Sequence, residues 1–426
     1  MDHEVRDAME QTKQDDRTPA LSSEPGKTKV LFVDDEPLIL DGLRRILRPL
    51  RKEWDMTFVN CGEEALQVLE GGSFHVIVTD MRMPGMDGAQ LLERVKDRFP
   101  EVIRLVLSGY FEREAAMRAA PVAHRFLAKP CEPKELREAI GSCWSLMSEM
   151  GDDDARRVVG MVGRLPSMPG HCSALMQALS NPDTALHQIS GIVERDVALA
   201  AKVLQLVNSA FFGRSQQITN VPAAVSYLGL EVLKNLVLSA EIFQMFDARK
   251  GVPGFSMEGF QQHCSLAARI ASRLPVAEPH RAAAVLAALL HDNGLLVLAS
   301  HMPGQFGQAV SVSVMQDRPV YQIEQEMIGI GHGQVGAYLL GLWGLPRAIV
   351  DAVRRHHEPL ADPSSRNALD VVSAVQIADR LAQELPAFGA AGYPSAHDAF
   401  GPAWEETAEL AEWRRMAREV SQSATL

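Results

Sequence analysis

Four short apolar runs near the start of this 426-residue chain each end in a polar side chain, and this pattern constrains the fold more than any other feature. The runs cover 29–33, 74–79, 102–107 and 125–128, and the residues that follow them are Asp34, Asp80, Ser108 and Lys129. Apolar runs that alternate with amphipathic helices are typical of a parallel α/β sheet. In such a sheet the carboxyl ends of the strands meet at one edge, where these folds place their sites.

The side chains at these strand ends have the chemistry of a magnesium site that accepts phosphate. Asp34, the adjoining Asp35 and Asp80 would lie close together, and packed carboxylates repel unless a cation joins them. Oxygen ligands suit Mg²⁺. A Mg²⁺-bound carboxylate near a hydroxyl and a lysine can accept a phosphoryl group, because the cations neutralise the incoming charge. Each residue alone could be an ordinary strand-end polar residue, but five in this order favour a site.

This arrangement resembles the receiver domain of two-component response regulators, over roughly Thr28 to Met147. The resemblance implies that Asp80 is the phosphoacceptor and that Mg²⁺ is bound by Asp34, Asp35, Asp80 and the backbone carbonyl of Arg82. It also implies that Ser108 is the switch hydroxyl, that Lys129 pairs with the phosphoryl group and that Phe126 is the aromatic residue that rotates on activation. Pro130 is expected to follow a cis peptide bond.

The same alternation predicts a doubly wound, five-stranded parallel sheet of the flavodoxin-like receiver type. Strands are expected near 29–34, 54–59, 74–80, 102–107 and 125–129. Helices are expected near 37–49, 63–70, 87–98, 112–119 and 133–148.

Beyond this region the strand pattern stops, and Ala, Leu and Val recur at helical spacing. We therefore expect an all-α domain after the receiver. The predicted organisation is a disordered tail (1–27), a receiver domain (28–148), a linker (149–160), a helical domain (161–385) and a C-terminal extension (386–426). The linker is predicted from Gly151 and the three aspartates after it, which break the helical pattern.

Composition excludes several functions. With 42 basic and 54 acidic side chains the net charge is −12, which disfavours non-specific nucleic-acid binding, and no DNA-reading helix stands out. The five cysteines lack CxxC spacing, which is typical of reduced thiols in a cytosolic protein. The polar N-terminus predicts no signal peptide, and no apolar run suggests a membrane span. We therefore expect a cytoplasmic protein that binds neither nucleic acid nor membrane.

Histidines and aspartates recur at the ends of apolar helices in the second half of the chain. In chain order they are His263, His291, Asp292, His332, His356, His357 and Asp379. If they face one cavity, they suit a mono- or dinuclear transition-metal site, which can generate a hydroxide and bind a phosphodiester. Alternatively, buried histidines only bond to carbonyls, and His356-His357 is a polar helix end favoured by the helix dipole.

This order of residues resembles the HD superfamily of metal-dependent phosphohydrolases. Five motifs, at 165–169, 196–204, 208–213, 223–229 and 342–346, resemble its HDOD branch over about 160–357. That branch is usually regarded as a signalling and interaction module without established hydrolase activity. The catalytic HD-GYP branch has His-Asp-Ile-Gly-Lys, whereas this chain has Asn293 and Leu295 at the third and fifth positions, and no Gly-Tyr-Pro motif near 320–330.

These features predict a response regulator in which Mg²⁺-dependent phosphorylation of Asp80 controls a non-catalytic HDOD output. The expected partners are a histidine kinase and an unidentified protein that binds the HDOD domain, and a homodimer is left open. The alternative is a receiver-regulated phosphodiesterase, dependent on a transition metal, that acts on cyclic dinucleotides or nucleotides. Acidic charge disfavours a third function, that of a transcription factor.

Overall fold

A computed structural model describes most of the chain: residues 27–109, 119, 121–149, 153–162, 165–181, 184–208, 217–238, 244–245, 251–363, 369–385 and 398–422. Most of the predicted disordered tail lies outside these residues. So do the predicted helix at 112–119, apart from Ala119, and residues 209–213 of one HDOD motif.

The N-terminal part is a five-stranded parallel sheet, as predicted. Its strands are β1 (Thr28–Val33), β2 (Trp54–Val59), β3 (Val76–Asp80), β4 (Ile103–Ser108) and β5 (Arg125–Ala128), in the order β2-β1-β3-β4-β5. The helices are α1 (Pro37–Ile46), α2 (Gly62–Gly71), α3 (Gly88–Arg98) and α4 (Pro133–Glu149), with a 3-10 helix at Arg48–Lys52. Each strand lies within a residue or two of its prediction.

Alternate residues along the strands pack on opposite faces of the sheet. Leu31, Ile77 and Val106 contribute to the core shared with α2 and α3. Val30 and Val78 belong to a second core that includes α1 and α4 and continues into the helical half of the chain. The receiver and the helical region therefore share one hydrophobic core.

The second half is helical, as predicted, except for one two-stranded sheet. Its helices are α5 (Asp153–Met161), α6 (Pro169–Ser180), α7 (Leu186–Val193), α8 (Val197–Val207), α9 (Val221–Leu238), α10 (Met257–Ala271), α11 (His280–Leu290), α12 (Asn293–His301), α13 (Pro303–Gln316), α14 (Val320–Met327), α15 (His332–Leu342), α16 (Arg347–Arg355) and α17 (Val371–Gln383). The strands β6 (Pro166–Ser167) and β7 (Gln244–Met245) pair in parallel. Such short strands give no alternating pattern in the sequence.

The predicted linker 149–160 is helical over most of its described residues. Helix α5 occupies most of it and packs against α3 of the receiver and against α12 and α15 of the helical region. Its first residue is Asp153, and an aspartate at a helix N-terminus is stabilised by the helix dipole.

The C-terminal extension is also ordered where it is described. Its helices α18 (Pro402–Glu405) and α19 (Ala408–Gln422) follow Asp398, and α19 packs against α10 and α17. One stretch, His280–His301, is long and apolar enough to cross a membrane, but 83% of its most apolar window is buried inside the protein. This stretch is therefore part of the hydrophobic core of the helical region.

Candidate functional site

The receiver pocket is organised around Lys129. Its ammonium group forms ion pairs with Asp34 Oδ2, at 2.7 Å, and with Asp80 Oδ1. The backbone N–H of Arg82 donates to Asp80 Oδ2 at 2.9 Å, so both oxygens of this buried carboxylate are engaged. The predicted cis bond at Lys129-Pro130 is present and directs the chain from β5 towards α4.

Charge and burial compete in this pocket. Burial raises the pKa of Asp80, although the hydrogen bond and charge of Lys129 act against it. Burial acts to lower the pKa of Lys129, but hydrogen bonds to Asp34 and Asp80 outweigh it and the pKa is raised. The lysine is therefore held as a cation beside both carboxylates.

The remaining receiver residues lie around this pair. Ser108, at the end of β4, accepts a backbone hydrogen bond from Lys129 through its carbonyl at 2.8 Å. Phe126 is buried in the core on the α2 and α3 side. Asp35 is half-buried and Arg82 is exposed. Asp34, Asp35 and Asp80 do not already form a close group of ligand atoms, because Lys129 lies between two of them. Their oxygen donors nevertheless suit Mg²⁺ by type.

The seven histidines and aspartates predicted in the helical region converge on one centre. The inner triad consists of His263, His291 and Asp379, and the outer triad of His332, His356 and His357. Asp292 lies between the two triads and belongs to the same close group as the outer triad, whose ligand atoms are all within 4.8 Å of one another. Six of the seven are almost fully buried, and the side chain of His357 is 17% exposed.

Asp292 faces one triad with each oxygen. Its Oδ2 is 3.1 Å from His291 Nε2. Its Oδ1 is 3.2 Å from His332 Nε2 and 3.3 Å from His356 Nε2. A carboxylate in this position can bridge two metal ions, so the arrangement suits a dinuclear site.

Four of the imidazoles are held by a contact at Nδ1, the ring nitrogen that faces away from the centre. Nδ1 of His291 and Nδ1 of His356 lie 2.7 and 2.6 Å from the carbonyl oxygens of Ala288 and Val353. Nδ1 of His332 lies 2.7 Å from Glu324 Oε2, and Nδ1 of His357 lies 2.7 Å from Asp398 Oδ2. These contacts direct each Nε2 lone pair to the centre, as expected for metal-ligating histidines.

Buried polar atoms without hydrogen-bond partners support the same interpretation. Among the described residues, Asp379 Oδ2 is one buried atom of this cluster that accepts no hydrogen bond. Burying such groups without a partner costs free energy, and a metal ion would satisfy them. The donor set of imidazoles and carboxylates fits a transition metal.

The charges of this cluster are strongly coupled. Burial opposes the charged forms, but the pKa of His291 is raised well above its ordinary value by Asp292 and Asp379. The pKa of each of these aspartates is lowered well below its ordinary value, against the effect of burial, chiefly by His291. Burial also acts to lower the pKa of His332, yet Glu324 and Asp292 raise it to about 10. Burial and the neighbouring His356 lower the pKa of His357 to about 3.

Sequence reasoning missed three residues that contact this cluster. Glu324 and Asp398 hold His332 and His357, and Gln383 Nε2 donates to Asp379 Oδ1 at 2.8 Å. No motif identifies them in the sequence. Cys264 also lies within reach of His291 and Asp292, but burial raises the pKa of its thiol well above the usual value, which disfavours the thiolate.

The positions that depart from the HD-GYP motif are buried. Leu295 packs in the apolar core and Asn293 is buried beside Gly336. The Leu295 side chain therefore offers no cation to a phosphate at the position where the catalytic branch has a lysine.

Comparison with known proteins identifies both halves of the chain. The family model of the response regulator receiver domain matches residues 30–141, and that of the HDOD domain matches residues 165–359. An uncharacterized protein of Treponema pallidum is 27% identical over 207 residues, which are 48% of this chain and 39% of that protein. The hydrogenase transcriptional regulatory protein HoxA of Bradyrhizobium diazoefficiens is 34% identical over 114 residues, 26% of this chain and 23% of that protein.

Among solved structures, the MmoQ response regulator of Methylococcus capsulatus matches with a TM-score of 0.45 and 18% identity, over 59% of this chain and 98% of that chain. Similarity this weak carries no argument about function. The chain spans well under half the length of the two curated relatives, so their activities are not transferred to it. The two family matches confirm the predicted architecture. The chain therefore belongs to the response regulators in which an N-terminal receiver domain is joined to a C-terminal HDOD domain.

Proposed function

We propose that Mg²⁺-dependent phosphorylation of Asp80 controls the HDOD domain as a signalling output. The observation that carries this proposal is the ion pairing of Lys129 with both Asp34 and Asp80 at the carboxyl edge of the sheet. This contact supplies the cation that a phosphoryl group needs beside its acceptor.

The proposed reaction is phosphoryl transfer from a histidine kinase. A carboxylate oxygen of Asp80 attacks phosphorus, the bond from phosphorus to the donor nitrogen breaks, and an acyl phosphate forms on Asp80. Mg²⁺ held by Asp34, Asp35, Asp80 and the Arg82 carbonyl would neutralise charge on the transferred group. Lys129 exchanges its contact with Asp80 for one with the phosphoryl oxygens, and Ser108 donates its hydroxyl hydrogen to them.

Strand β5 offers a direct route from Asp80 to the output domain. Lys129 follows its last residue, and Arg125, its first residue, lies against Gly344 in the turn after α15. Leu146 of α4 packs against Gly341 so closely that any Cβ there would overlap it. A displacement of Lys129 or Phe126 would therefore be transmitted to the HDOD domain.

The proposed output is non-catalytic binding of a protein partner in the cytoplasm. The buried Leu295 supports this, because a phosphodiesterase site needs cationic groups on the phosphate. Loss of one such electrostatic contact costs about 10²–10³-fold in rate.

The convergence of all seven predicted ligands favours a second property, binding of two transition-metal ions. Asp292 would bridge the inner and outer triads, and the metal would supply structural cross-links or, in the alternative function, a nucleophilic hydroxide. Metal analysis of the purified protein and incubation of the metal-loaded protein with a cyclic dinucleotide separate these alternatives. Turnover that disappears in the double variant His291→Ala, Asp292→Ala would establish the phosphodiesterase.

The main proposal is tested by labelling with a radioactive small phosphodonor in the presence of Mg²⁺. Wild-type protein should be labelled, and Asp80→Asn should not, while the variant keeps its fold by circular dichroism. Asp87→Asn is a matched control, because Asp87 caps α3 outside the pocket. Labelling that persists in Asp80→Asn would overturn the assignment.

A further inference from the structure

We infer that the C-terminal extension completes the metal cluster from outside the HDOD domain, with Asp398 as the positioning residue for His357. The inference rests on the metal binding proposed above and assigns a role to residues beyond the matched family range of 165–359.

The carboxylate of Asp398 makes two contacts at the open edge of the cluster. Its Oδ2 accepts a hydrogen bond from His357 Nδ1 at 2.7 Å. Its Oδ1 accepts one from the hydroxyl of Tyr321 at 3.2 Å. The Tyr321 ring stacks on the His357 ring, with centroids 4.1 Å apart and an interplanar angle of 12°. Asp398 and Tyr321 therefore fix both the tautomer and the plane of this imidazole.

Among the four imidazoles that are held through Nδ1, the orientation of His357 depends most on a partner that is distant in the sequence. His291 and His356 bond to carbonyls three residues earlier in their own helices. The partner of His332 is Glu324, eight residues away, whereas Asp398 is 41 residues from His357. Because His357 is also the most exposed of the ligands, its orientation is the least determined by surrounding core packing.

Several contacts hold the extension against the HDOD domain. Trp404 Nε1 donates to the carbonyl of Ala361 at 3.1 Å. Arg414 forms ion pairs with Glu384 of the HDOD domain and with Glu405 of α18, each at 2.6 Å. Leu410, Trp413 and Val420 are buried. The extension is thus anchored on α17 and α10, the helices that also carry Asp379 and His263.

It follows that Asp398 acts on one half of the site. Among the described residues, Asp398 contacts His357 of the outer triad and no member of the inner triad, so removing its carboxylate takes away the hydrogen bond at Nδ1 of His357. Loss of such a second contact to a metal-bound histidine typically weakens metal binding about 10–100-fold.

The test is titration of metal-free full-length protein with Mn²⁺, followed by calorimetry and electron paramagnetic resonance. Wild-type protein should bind two ions at the His/Asp cluster, in addition to one in the receiver pocket of Asp34, Asp35 and Asp80, and the two should give the signal of a coupled pair. Asp398→Ala should bind the first ion normally and the second about 10–100-fold more weakly, with a mononuclear signal. Asp398→Asn keeps an acceptor oxygen and should recover part of the loss. Glu409→Ala, an exposed carboxylate of the same extension, is the matched control.

The outcomes separate this inference from the proposals on which it rests. Equal binding of the second ion by wild type and Asp398→Ala would overturn it while leaving metal binding intact. If Asp398→Ala does not fold, Asp398→Asn decides, because a second ion bound as tightly as in wild type contradicts the inference. Wild-type protein that binds no Mn²⁺ beyond the single ion of the receiver pocket would overturn both the metal site of the cluster and this inference, without affecting phosphorylation of Asp80.

Discussion

At the scale of single residues, the raised pKa values of His291 and His332 place protons among the carboxylates of the His/Asp cluster. In the metal-free protein these protons offset part of the negative charge of Asp292 and Asp379, because burial makes uncompensated carboxylates costly. A divalent cation would take the place of these protons. Metal binding should therefore release protons and become tighter as the pH rises.

The pKa of His332 gives the stability of the metal-free protein a defined pH dependence. Its folded pKa of about 10 exceeds the ordinary histidine value of 6.5, so its stabilisation is complete below pH 6.5 and is lost as the pH rises towards 10. Each unit of difference is worth about 1.4 kcal/mol. We predict that the Tm of the metal-free protein, measured by calorimetry, falls through this window and that His332→Gln flattens the fall.

His187→Gln, at an exposed histidine of α7, is the control for that measurement and should leave the slope unchanged. A Tm that stays constant or rises between pH 6.5 and 10 in metal-free wild type would contradict the assignment of the proton to His332.

The sequence predicted the seven histidines and aspartates that converge in the cluster, but not the residues that hold their side chains. His291-Asp292 and His356-His357 stand out because adjacent ligands at helix ends form a recognisable pattern. Glu324 and Asp398 do not, since their contacts depend on the packing of α14 and of the extension. Likewise Lys129 was predicted beside Asp80, but its simultaneous pairing with Asp34 depends on the geometry of the sheet edge.

At the scale of elements, helix α5 joins the two domains through a close approach of backbones. A Cβ at Gly160 would overlap the carbonyl oxygen of Pro100, just before β4. The buried guanidinium of Arg104 donates to the Gly160 carbonyl and, at 3.2 Å, to that of Pro100. Gly160 therefore allows α5 to lie directly on the receiver, where Arg104 satisfies the carbonyls of both segments.

We predict that Gly160→Ala destabilises the protein, because the added methyl group must push α5 away from Pro100 and weaken the buried hydrogen bonds of Arg104. A loss of about 1–3 kcal/mol in the free energy of unfolding is expected, measured by urea denaturation. Gly141→Ala on α4 is the matched control, since nothing lies within 4 Å of the added methyl group. It should be neutral or stabilising by about 0.5–1 kcal/mol. Equal effects of the two substitutions would contradict this role of Gly160.

Helix α5 is an element that was not predicted from the sequence. The receiver strands were predicted well because buried parallel strands are continuous apolar runs. The segment after Gly151 was interpreted as a linker, and within it Val158, Val159 and Val162 lie at helical spacing and pack in or against the core. The apolar face of α5 becomes evident only when the two surfaces that cover it, on the receiver and on the helical region, are known.

At the scale of the whole molecule, the shared core makes the two domains mechanically dependent. Leu146 and Met147 of the receiver belong to the same cluster as Leu339 and Leu340 of the HDOD domain. Gln205 Nε2 of α8 donates to the carbonyl of His124 at 3.5 Å, next to the start of β5. A displacement of β5 cannot be absorbed by the receiver alone, because close-packed interiors transmit strain.

The docked arrangement described here belongs to the state in which Lys129 bonds to Asp80 and Asp34. A phosphoryl group on Asp80 would draw Lys129 away from these positions. The phosphorylated protein should therefore differ from this docked arrangement at β5 and at the surfaces that β5 contacts. We predict faster hydrogen exchange in α5 after treatment with a small phosphodonor and Mg²⁺. Coupling of about 1–3 kcal/mol corresponds to an increase of about 5–150-fold. Helix α2, which packs against β1 and α3, is the internal control and should not change, and Asp80→Asn should abolish the response. Exchange in α5 that is the same before and after confirmed phosphorylation would mean that the signal leaves the receiver by another surface.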